Sequence, residues 1–98
     1  MITTKQRAQL RGLGNALDPV MQIGKEGISE NVLTGVNLLL EARELVKIKV
    51  LKNCDSDTKT IAHSIAEQIG ADVVQVIGNI FILYKKSTRK NFKHIELM

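Results

Sequence analysis

Tryptophan is absent from this sequence of 98 residues, and phenylalanine and tyrosine together reach only 3%. The core therefore has to be built from Leu, Ile and Val. The same shortage excludes the aromatic base-stacking platform of an RRM-type sheet. Cysteine occurs once, at Cys54, so there is no disulfide framework, and the chain fits a reducing compartment. One cysteine and two histidines, His63 and His94, are too few ligands for a zinc centre. Neither a Walker phosphate loop nor a GxGxxG dinucleotide fingerprint is present, so neither metal nor cofactor is expected. No apolar run approaches the roughly 20 residues that span a bilayer. The opening MITTKQRAQL is too polar for a secretion signal. The expected location is the cytoplasm, with no membrane contact.

What remains is an aliphatic, basic chain. Hydrophobic residues make up 44%, enough for one ordinary core, and the length suits a single domain, 1–98. The net charge of +4 favours a polyanionic partner.

Thr3 or Thr4 can cap a first helix that runs to about Leu17, with Leu10, Leu13 and Leu17 on one face. Arg7 and Arg11 share a neighbouring face, and Asp18-Pro19 stops the helix. Val20–Ile23 reads as a short strand entering the loop Gly24-Lys25-Glu26-Gly27. Ser29 then caps a second helix that ends near Arg43, with Ile28 and Leu33 placed as a hydrophobic staple. Val32, Val36, Leu39 and Leu40 form its apolar face.

Leu45–Leu51 alternates Val46, Ile48 and Val50 against Lys47 and Lys49, the pattern of a half-buried strand. A polar turn, 53–57, leads to a third helix with the stripe Ile61, Ile65, Ile69 and a terminal Gly70. Val73–Ile77 and Ile80–Tyr84 flank Gly78-Asn79 as a tight hairpin. The order α-β-α-β-α-β-β predicts an α/β domain with one mixed four-stranded sheet. Two βαβ-type units favour parallel neighbours, and the last pair has to be antiparallel. The basic tail from about residue 87 is expected to be loosely held apart from Ile95 and Leu97.

The segment from Val20 to Leu40 carries the chemistry. A strand–GxxG–helix junction brings backbone close to a ligand and points free amides, with the helix dipole, at an anion. Lys25 adds a mobile positive charge. In KH modules a GXXG loop of this kind clamps the nucleotide backbone. Taken alone, the motif is a weak signal and reads more readily as a glycine turn shaped only to join strand to helix.

Three longer segments are more specific: LGNALDPVMQIGKEGISENVL, LLEARELVKIKVL and VVQVIGNIFILYKK. In order and spacing they resemble the CRM domain family (chloroplast RNA splicing and ribosome maturation), in its stand-alone bacterial YhbY-like form. The resemblance extends to about Lys86. It implies a fold similar to the C-terminal domain of a bacterial translation initiation factor. It also implies RNA binding through Gly24, Lys25, Glu26, Gly27 and nearby basic surface, and association with large-subunit ribosomal precursors. Family loops often lack an acid where Glu26 stands.

Lys5, Arg7 and Arg11 extend the expected RNA footprint along the first helix; the alternative is a solvated helix face. Lys47 and Lys49 read as the outward half of an alternating strand. The basic run Lys85, Lys86, Arg89, Lys90, Lys93 reads as an electrostatic tether. Tyr84 is expected at a sheet edge. Cys54 and His63 lack a third orienting residue, so no enzyme is expected. The expectation is a monomeric RNA-binding assembly factor partnered by ribosomal RNA. The competing expectation is an adaptor that docks on ribosomal or translational proteins without touching RNA.

Overall fold

The computed structural model describes all 98 residues. Their order is α1 (Thr4–Gly14), β1 (Met21–Ile23), α2 (Glu30–Arg43), β2 (Leu45–Val50), α3 (Thr58–Ile69), β3 (Asp72–Ile77) and β4 (Ile80–Tyr84). Each helix begins at a side-chain cap. Thr3 and Gln6 exchange hydrogen bonds as a capping box. Ser29 and Asp57 accept from the amides of Val32 and Thr60.

The first helix stops at Gly14, three residues short of the expected end. Of the leucine face read from the sequence, only Leu10 is buried; Leu13 and Leu17 are 47% and 37% exposed. The reason lies in the contact with β4. A Cβ on Gly14 would stand 2.7 Å from Ile82 Cδ1, so α1 lies flush on the sheet through Leu10 and Gly14. That pairing at i,i+4 leaves Leu13 on the flank and Leu17 beyond the helix.

The sheet order is β1-β2-β4-β3. Strand β1 runs parallel to β2, with Ile23 opposite Val50, as a βαβ unit through α2 requires. The second expected parallel neighbour does not form, because β4 inserts between β2 and β3 and pairs antiparallel with both. Burial accounts for this. Phe81, Ile82, Leu83 and Tyr84 are all buried, so this strand needs cover on both faces and takes a central place. The half-exposed β3 is left at the edge. Its hairpin turns on Gly78 at φ +56, as a type II′ turn needs at its first central residue.

The sheet therefore has two cores. Phe81 and Leu83 join Ile23, Val46, Ile48 and Val50 beneath α2 and α3. Ile82 and Tyr84 face the other way, with Leu45 and Val74, and are covered by Leu10, Ile2 and the tail residues Ile95 and Leu97. Tyr84 thus lies buried in a central strand, not at an edge with its ring free to stack on a base. Burial, with Glu44 and Asp72 nearby, pushes its phenol up from the ordinary value.

Candidate nucleic-acid interface

Strand polarity divides the molecule into two ends. The C-termini of β1, β2 and β3 and the start of β4 lie together. This end carries Gly24–Gly27, the β2–α3 turn and the Gly78-Asn79 hairpin.

At the junction of β1 and α2 the Gly27 amide donates to the Gly24 carbonyl at 3.0 Å, closing a tight turn. Gly27 sits at φ +63, a region that costs side-chain-bearing residues about 1–2 kcal/mol. Lys25 and Glu26, at the tip, are both exposed. The amides of Lys25, Glu26 and Ile28 donate to no group within the chain, which leaves them for solvent or a ligand. Ser29 caps α2 with a neutral hydroxyl, so the positive end of that helix dipole is not already matched by a capping anion, although Glu30 lies in its first turn. The start of α3 differs. There Asp57 is held below its ordinary carboxylate range by the Thr60 amide, and so supplies the anion itself.

A depression of about 270 Å³ runs from Lys25, Glu26, Gly27 and Ile28 across to Cys54, Asp55, Ser56 and Ile61. A neighbouring one of about 510 Å³ is lined by Lys52, Lys59, Gly78 and Asn79, and shares Cys54 and Ser56 with it. The end surface thus combines Lys25, Lys52 and Lys59 with the acids Glu26, Asp55 and Asp57. Its three lysines are matched by three acids, so what distinguishes this end is the free amides of the turn rather than an excess of positive charge.

The α1 basic residues do not join this surface. The Arg7 Nε–H donates to the Val73 carbonyl at 3.2 Å and the side chain is half-buried, so it ties α1 to the far edge strand. Val73 lies across three strand spacings from β1 and four residues along the register from Ile23, a diagonal of about 20 Å. Lys5 and Arg11 are exposed on this same helix, on the sheet face opposite α2. Cys54 and His63 also separate: Cys54 is half-buried at the loop end, while His63 lines another hollow with Arg7, Glu67 and Asp72.

The feature invisible in the sequence lies at the opposite end. Glu44 is fully buried at φ +65, just past α2. Its carboxylate accepts from the amides of Ser87 and Ile95, both at 2.7 Å, and contacts His94 Nδ1 at 2.5 Å. Burial alone would push this carboxyl up; the His94 contact and the two amides outweigh it and hold it below the ordinary value. One turn earlier, Glu41 accepts from the Thr88 amide and from the hydroxyls of Ser87 and Thr88. Gln6 and Gln9 of α1 bond the backbone of Met98 and Glu96. The tail expected to be loosely held is pinned along its length, because two acids at the end of α2 supply acceptors for its donors.

A mixed four-stranded sheet with helices on both faces and an exposed GxxG turn at a helix start defines an α/β module of the strand–glycine-turn–helix class. This chain belongs to the CRS1 / YhbY (CRM) domain family, whose profile matches residues 2–85. It is similar to "Probable RNA-binding protein YqeI" of Bacillus subtilis, 41% identical over 97 residues and 99% of each chain. An "RNA-binding protein" of Haemophilus influenzae is 39% identical, covering 88% of this chain and 87% of the other. The solution structure of the hypothetical protein SAV1595 from Staphylococcus aureus superposes with a TM-score of 0.82 at 42% identity, over the whole of both chains.

Proposed function

We propose that this protein is a non-catalytic RNA-binding factor that associates with ribosomal RNA of the large-subunit precursor during assembly. The reading rests on the exposed Gly24–Gly27 turn, whose tip presents unpaired amides and Lys25 at the neutral-capped start of α2. The relatives named as RNA-binding proteins agree with RNA as the ligand. Phosphates meet the amides and Lys25, Lys52 and Lys59 follow the backbone, while Glu26 turns its carboxylate to solvent. Lys5, Arg7 and Arg11 act only as a separate peripheral contact, because about 20 Å separates Arg7 from the turn. One chain suffices for the contact, acting in the cytoplasm.

The test combines Lys25→Glu with mapping of RNA crosslinked to the protein in cells. The substitution is expected to weaken binding similarly across unrelated sequences and to lower the salt slope by about one, with unchanged thermal stability. Crosslinks are expected on large-subunit precursor RNA. If Lys25→Glu combined with Lys52→Glu left affinity untouched, the surface would be wrong. Crosslinks confined to other transcripts would remove the ribosomal assignment. Retention of cellular complexes after nuclease digestion would favour the protein adaptor.

A further inference from the structure

We infer that the pinned tail forms a second RNA contact at the opposite pole, so that one molecule bridges two RNA segments. The inference rests on the RNA-binding reading above but uses none of its residues. Between the anchors at Thr88 and His94 the chain makes a turn through Asn91 at φ +61, which pushes Arg89, Lys90 and Lys93 into solvent. Arg43 and Lys86 are exposed beside the same anchors. The acids of this region are already engaged: Glu44 is sealed beneath the tail and Glu41 is bonded to Ser87 and Thr88, leaving Glu96 exposed farther on.

Phe92 sits among these cations half-exposed, its ring centroid 5.4 Å from that of His94 at a 53° tilt. Cations flanking an accessible aromatic ring are the chemistry of a single-stranded RNA site, with phosphates on the charges and a base on the ring. Because the turn is anchored at both ends, these groups hold a fixed geometry, and binding does not have to order a free tail.

The pole is remote from the Gly24–Gly27 turn. Strand β2 lies between them, about 17 Å from end to end, in a molecule 37 Å long. A single phosphate cluster cannot reach both. The segment also lies beyond residues 2–85, the part that defines the family.

The experiment uses the full chain with two short single-stranded RNAs, one carrying a donor fluorophore and one an acceptor. Wild-type protein at half the total RNA concentration is expected to give energy transfer. The triple variant Arg89→Gln, Lys90→Gln, Lys93→Gln alters only exposed side chains; it is expected to bind one RNA and lose the transfer. Its salt slope is expected to fall by about two, at roughly 0.7 per single-strand phosphate contact. Phe92→Leu is expected to weaken the second binding event about tenfold, within the range for loss of one stacked base. Lys25→Glu should also abolish transfer while the tail site still binds. Transfer that survives the triple variant, or a wild-type chain that binds only one RNA through the Lys25 surface, overturns the bridge and leaves the earlier reading standing. Failure of the wild type to bind any RNA overturns both.

Discussion

Glu44 shows how much one side chain can organise. A fully buried carboxylate is costly unless every acceptor position is used, and here two amides and an imidazole use them. Glu44→Gln turns an amide donor toward one of those backbone donors and removes the charge. The expected loss is about 2 kcal/mol of unfolding free energy, read from denaturant midpoints. The same group predicts an acid limb. Its folded pKa lies below 4.5, so its contribution is fully present above that pH and fades as pH falls through the folded value. In a stability–pH series, the difference between wild type and Glu44→Gln should shrink in that window. Gly27 gives a second prediction. Gly27→Ala at φ +63 should cost about 1 kcal/mol, whereas the neighbouring Gly24 shows no positive φ. A thermal melt of the two alanine variants checks the contrast.

At the scale of elements, the tail behaves as part of the second core. Ile95 and Leu97 pack on the cluster that holds Leu10, Leu45, Ile82 and Tyr84. Truncation after His94 keeps the Glu44–His94 contact but removes the Ile95 amide that bonds Glu44 and uncovers that cluster, and should cost more than about 2 kcal/mol. It should leave the far loop's affinity for RNA unchanged, which filter binding can measure. The helix caps, the hairpin and the bounds of β4 were legible because each depends on residues within four positions: Thr3 with Gln6, Ser29 with Val32, Asp57 with Thr60, Gly78 with its flanking isoleucines. The end of α1 was not legible. It depends on a close approach between Gly14 and Ile82, 68 positions apart.

For the whole molecule, Lys25, Lys52 and Lys59 at one end are balanced by Glu26, Asp55 and Asp57, while Arg43, Lys86, Arg89, Lys90 and Lys93 are exposed together at the other, where Glu41 and Glu44 are bonded to the tail. RNA affinity should therefore fall steeply with salt, with a slope larger than three contacts at the Lys25 surface alone would give. Fluorescence titrations between 50 mM and 200 mM salt measure it; a slope near that of the triple tail variant would show that the tail contributes nothing.

The sequence by itself determined the kinds of element, their order, the aliphatic core and the Gly24–Gly27 turn, because periodicity, capping and turn chemistry act over a few residues. Only the tertiary structure decided that β4 enters between β2 and β3, that Arg7 serves the far edge strand, and that the basic tail is a fixed surface. Those outcomes depend on which distant groups satisfy one another. A buried acid in residues 41–44 finds donors in residues 87–95, a pairing that no local pattern records.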